Sequence, residues 1–117
     1  WGPLATHEGR LDPVYDFAAN TCGSTYCHGG FIFRLDESEF PRGYEDSVIV
    51  GNNQTMNWTE IQTGPTDCQN CHSIPPTGHV DAAPSECWRC HSAVVDADLN
   101  ILDPSRHVNG QANVFGN

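Results

Sequence analysis

A chain of 117 residues with five arginines, no lysine and fifteen carboxylates carries a formal charge of -10. That balance sets nucleic acid and anionic membrane surfaces aside as partners. Leu, Ile, Val and Phe supply only 23 residues, close to the fraction below which a highly charged chain tends not to fold. The length predicts one domain over residues 1–117, and no apolar run approaches the roughly twenty residues that cross a bilayer.

Residues 1–20 read as an extended N-terminal arm with Gly2, Pro3 and Gly9 and one histidine, His7. The start at Trp1, without a charged n-region or an apolar h-region, predicts a mature product that has lost an export signal. Two cysteines then flank a four-residue gap, Cys22-Gly23-Ser24-Thr25-Tyr26-Cys27, and His28 follows directly. Residues 31–35 and 47–50 are short β-prone runs on either side of Pro41-Arg42-Gly43, which predicts a small hairpin. Asn53-Gln54-Thr55 and Asn57-Trp58-Thr59 are glycosylation sequons, about the number expected by chance, and they matter only in a host that glycosylates exported chains.

The second half repeats the cysteine pattern with a tighter gap. Cys68-Gln69-Asn70-Cys71-His72 and Cys87-Trp88-Arg89-Cys90-His91 are each predicted to open a short helix. Thr66 or Asp67 is the candidate N-cap of the first and Ser85, after Pro84, of the second. Pro75-Pro76-Thr77-Gly78 stops the earlier helix at once. The fold class expected is mostly irregular coil with a few short helices and a small β-hairpin, built around prosthetic groups that stand in for the missing core.

Cys-x-x-Cys-His is the attachment pattern of c-type haem. Two thiols add across the two vinyl groups, and the histidine beside the second thiol coordinates the iron. Cys68-x2-Cys71-x15-Cys87-x2-Cys90 also has the spacing of a zinc tetrathiolate, and six cysteines also suit a disulfide framework. Neither rival gives the histidine after every second cysteine a purpose. Three covalently bound haems c are therefore expected, on Cys22 and Cys27, Cys68 and Cys71, and Cys87 and Cys90, with His28, His72 and His91 as proximal ligands. The remaining histidines, His7, His79 and His107, equal the haems in number and are the expected distal ligands. Met56, the only methionine, is the alternative sixth ligand at one site. Which distal histidine serves which haem is not readable, because the connecting segments reach in several directions.

The order CxxxxCH, then CxxCH-x-x-P-P-x-G-H, then CxxCH resembles the CxxxxCH/CxxCH family of multihaem c-type cytochromes associated with extracellular electron transfer. Residues 21–29 (TCGSTYCHG), 68–79 (CQNCHSIPPTGH) and 107–115 (HVNGQANVF) carry the resemblance. The family's recurring His-x-x-Gly segment stands at His107-Val108-Asn109-Gly110 and, one residue shorter, at His7-Glu8-Gly9. The chain thus looks like one period of a longer repeat plus the start of the next.

What the resemblance implies is electron transport, as a soluble carrier or as a unit of an extracellular filament, or nanowire, with stacked haems. The filament reading makes the partner another copy of the chain, assembled head to tail, with His7 donated in trans from the arm. Electron donor and acceptor proteins, or an extracellular acceptor, complete the set of partners. A monomeric periplasmic carrier is the alternative. A multihaem reductase is disfavoured, since three spare histidines leave no iron open for catalysis. Haem attachment belongs to the far side of the cytoplasmic membrane, so an extracellular or cell-surface location is expected, or a periplasmic one.

Overall fold

The computed structural model describes residues 1–59 and 68–116. Two small antiparallel sheets and one short helix are joined by 3₁₀ turns and loops. Strands β1 (Val14–Asp16), β2 (Thr21–Gly23) and β5 (Met56–Asn57) form the first sheet, with β2 central. Strands β3 (Ile32–Arg34) and β4 (Val48–Val50) form the second. The helix, α1, is Cys87–His91. Among the described residues none of the helices is long and apolar enough to cross a membrane.

The second sheet is the hairpin expected from residues 31–35 and 47–50, paired Ile32 with Val50, Phe33 with Ile49 and Arg34 with Val48. Alternation decides its faces: Phe33 and Ile49 turn inward while Ile32 and Arg34 stay exposed. Pro41–Gly43 forms a 3₁₀ turn in the connection. Residues 76–80 lie along this hairpin like a partial third strand, because Val50 donates to the Thr77 carbonyl and Glu45 and Asp46 donate to that of Gly78. Gly78 is obligatory at that approach. Its φ is +86°, and a Cβ there would stand 1.9 Å from the Val48 carbonyl oxygen.

The N-terminal segment differs from the extended arm expected of it. Residues 2–11 coil into successive turns, with Thr6, His7, Glu8 and Gly9 donating to the carbonyls of Gly2, Leu4, Pro3 and Thr6. Tyr26 then donates to the Ala5 carbonyl and ties the coil to the first cysteine motif. Pro3 and Gly9 serve these turns rather than extension, Gly9 at a φ of +86°. An Arg10–Glu37 ion pair of 2.6 Å adds a second tether, exposed on both sides and so worth under about 1 kcal/mol.

Burial is sparse. Among the described residues the buried apolar side chains are Cys22, Tyr26, Ile49 and Val94, joined by the polar His7 and Thr25. The radius of gyration, 14.6 Å, exceeds the roughly 13.4 Å of a compact chain of this length. A polypeptide that leaves Trp1, Phe17, Trp58, Leu102 and Phe115 mostly exposed has not closed a core of its own.

Candidate functional site

Each cysteine motif is held by different local structure. Cys22 lies inside strand β2 and is 1 % exposed, while Cys27 and His28 sit on the 3₁₀ turn Tyr26–His28. The two extra residues of the four-residue gap are therefore spent on passing from strand to turn. Cys68 opens the 3₁₀ turn Cys68–Asn70, with His72 donating its backbone N–H to the Cys68 carbonyl. The expected caps Thr66 and Asp67 lie outside the described residues. Cys87, Cys90 and His91 are on α1, preceded by the 3₁₀ turn Pro84–Glu86. Ser85 is inside that turn and caps nothing; Ala83 occupies the cap position, without a side-chain bond. Proline at the first position of the turn already fixes the entry, so no capping oxygen is required.

The motifs adjoin in sequence order. The Cys71 thiol lies 3.8 Å from the Cys27 carbonyl oxygen, and Asn52 and Asn53 donate backbone N–H groups to the carbonyls of Cys71 and Gly29. Gly29, at a φ of +80°, allows this contact, since a Cβ there would fall 1.9 Å from the Cys71 oxygen. Burial raises the thiol pKa of Cys71 first of all, and the neighbouring Cys27 and Cys68 act the same way. Burial likewise raises Cys87, where Cys68 is near enough to contribute. The second motif thus touches the first, and its Cys68 is within electrostatic reach of Cys87 in the third.

All six cysteines are free thiols, which weighs against a disulfide framework. Among the described residues no three His, Cys, Asp or Glu side chains converge as a metal-binding group. Cys68, Cys71, Cys87 and Cys90 therefore do not assemble the tetrathiolate that their spacing also permits. In the first motif the Cys22 thiol lies 3.5 Å from Nδ1 of the His28 imidazole.

Three of the histidines are held by a hydrogen bond at one ring nitrogen. His72, His79 and His91 each present Nδ1 to a backbone carbonyl, of Ser73 at 2.8 Å, Val80 at 2.7 Å and Asn113 at 2.6 Å respectively. A carbonyl only accepts, so Nδ1 carries a proton, and the neutral tautomer with that proton has its lone pair on Nε2, the arrangement usual in metal-binding histidines. Burial lowers the pKa of His28. It lowers His107 too, with the His72 imidazole adding to the effect; His107 is crowded by protein although its surface is exposed. The His79 and His91 rings lie 6.3 Å apart between centroids, inclined at 42°.

His7 is the departure. Instead of reaching outward it is 4 % exposed, lodged 4.8 Å from the Tyr26 ring and 5.4 Å from that of Phe33. Burial lowers its pKa most and Arg10 next, against the Gly110 backbone and the carboxylates of Glu8 and Glu37. No hydrogen bond of good geometry reaches its Nδ1. The arm is not unpinned, because the turns of residues 2–11 and the aromatic contacts hold His7 within the chain that carries it. Met56, the alternative ligand, pairs across the sheet with Cys22 on a half-buried strand. Sequence reasoning missed the aromatic lining of Tyr26, Phe31 and Phe33; the Phe31-x-Phe33 alternation was the available signal, and Phe31 reaches to 6.3 Å from His72.

No family model, curated protein or solved structure matches the chain.

Proposed function

We propose that the chain is a trihaem c-type cytochrome that transfers electrons outside the cytoplasm. The observation that carries this reading is the threefold Cys-Cys-His pattern, whose thiols are all unpaired and whose motifs adjoin one another in order. Cys22 and Cys27, Cys68 and Cys71, and Cys87 and Cys90 would hold the three haems, which supply reversible one-electron exchange when bound. His28, His72 and His91 are the proximal ligands, and His7, His79 and His107 the distal ones. The backbone carbonyls at Nδ1 of His72, His79 and His91 fix the ring tautomer and leave Nε2 available. Phe31 lies between the first two motifs, 6.2 Å from the Tyr26 ring and 6.3 Å from that of His72.

The chain works as a subunit of an extracellular filament, assembled through its own surface rather than through a donated His7. Support comes from large apolar side chains left in solvent: Phe17 at 85 % exposure and Trp58 at 67 % flank the Asn20 turn at one end of the first sheet, and Trp1 and Phe115 lie near the chain ends. A monomeric carrier is the second reading, favoured by the burial of His7 in its own subunit. Electron microscopy of the purified holoprotein at high concentration, with an electron paramagnetic resonance spectrum of the oxidised sample, tests both. Filaments with only low-spin signals are expected. Monomers with the same spectrum establish the carrier, and a high-spin signal in the resting protein overturns six-coordination by histidine.

A further inference from the structure

The notable geometry among the histidines is between two that are distant in sequence. His79 stands seven residues after His72 and belongs by position to the second motif. Its ring nevertheless lies near that of His91, in the third, at 6.3 Å between centroids and inclined at 42°. An imidazole nitrogen about 2 Å from a metal on each side, with each ring centre roughly 1.1 Å farther out, sets two centroids a little over 6 Å apart. Two axial ring planes both contain the nitrogen–metal–nitrogen axis, so their mutual rotation is free and the observed 42° is allowed. A tilted ring pair without a metal spans the same range of distances, so the choice between the two rests on the hydrogen bonds that hold each ring from behind.

We infer that His79 and His91 are the two axial ligands of a single iron, that of the haem attached through Cys87 and Cys90. The inference rests on the trihaem reading and adds to it the partner of one distal histidine.

Both rings are positioned from behind. His79 Nδ1 donates to the Val80 carbonyl at 2.7 Å, and His91 Nδ1 donates to that of Asn113 at 2.6 Å, so both Nε2 atoms are left free to ligate. The backbone that carries His79 is fixed on two sides: His79 donates to the Pro76 carbonyl, Val80 donates to that of Gly43, and Tyr44 bridges to His79. The C-terminal segment is clamped to the third motif by Phe115 donating to the Cys90 carbonyl at 2.6 Å. The separation of the two rings is therefore set by the hairpin on one side and by the tail on the other, and not by the reach of a free side chain.

The experiment uses the holoprotein and two variants, His79→Gly alone and His79→Gly combined with Cys87→Ala and Cys90→Ala. In the single variant about one third of the iron is expected to turn high-spin, with imidazole restoring the low-spin spectrum. In the combined variant, which attaches two haems, both are expected to stay low-spin without imidazole. A high-spin haem in the combined variant would mean that His79 serves the first or second motif, and it overturns the pairing while leaving three haems by mass in the parent. A parent that carries no covalent haem overturns the trihaem reading itself. Should His79→Gly fail to accumulate, His79→Met carries the test: one haem in three is expected to gain a sulfur-to-iron charge-transfer band and a higher potential. That band must vanish when Cys87 and Cys90 are also replaced, and its persistence rejects the pairing.

Discussion

Produced without export, so that no haem is attached, the same polypeptide is expected to show no cooperative thermal transition and no near-ultraviolet circular dichroism. The holoprotein should unfold in a single sharp step. The reason is the shortage of burial: Cys22, Tyr26, Ile49 and Val94 are the buried apolar residues among those described. A domain of this size must offset roughly 1–2 kcal/mol of backbone entropy per residue. Three large apolar rings, each tied down by two covalent links, would supply what four side chains do not, and would also restrict the unfolded chain. A haem-free polypeptide that melts cooperatively would show that the protein atoms suffice, and would remove the haems from the account of the fold.

Gly29→Ala is expected to lower the stability of the holoprotein by roughly 3 kcal/mol or more, combining an overpacking cost with a left-handed backbone that alanine rarely adopts. The added carbon would fall 1.9 Å from the Cys71 carbonyl oxygen, and that neighbour is backbone and cannot swing aside. Gly29 also joins the first motif to the second, through Asn53 donating to its carbonyl and Asn52 donating to that of Cys71. The substitution should therefore separate the two motifs as well as weaken the fold. Gly43→Ala is the control, since nothing lies within 4 Å of a Cβ at Gly43. Chemical denaturation followed at the Soret band measures both, and equal midpoints for the two variants would contradict the role given to Gly29.

The hairpin of β3 and β4 was legible in the sequence because residues 31–35 and 47–50 are short runs of β-prone side chains and Pro41-Arg42-Gly43 marks the break between them. The helix expected to run from Cys68 to the stop at Pro75-Pro76 is instead a 3₁₀ turn that ends at Asn70, before either proline. The first sheet was not legible. Its strands are two or three residues long, too short to show a period, and it joins residues 14 and 57 across a loop that no local rule orders. Cys22 was read for its chemistry, which hid its place in a strand. The N-terminal segment misled because Gly and Pro signal turns and extension alike, and the turn hydrogen bonds of residues 2–9 with the Tyr26–Ala5 bond show which applies. As for the candidate site, the thiols and imidazoles could be named from spacing. The meeting of His79 with His91 could not, since it depends on the hairpin at one side and the Asn113 carbonyl at the other, both remote in sequence.

Intact mass spectrometry after acid denaturation tests the central claim most directly. Three haems held through thioethers at Cys22 and Cys27, Cys68 and Cys71, and Cys87 and Cys90 survive acid, so the exported protein should exceed its polypeptide mass by about 1.8 kDa, roughly 0.6 kDa per motif. Replacing either cysteine pair of a CxxCH motif by alanine should remove one such step. A mass equal to that of the bare polypeptide, with all six thiols open to alkylation, would contradict the account.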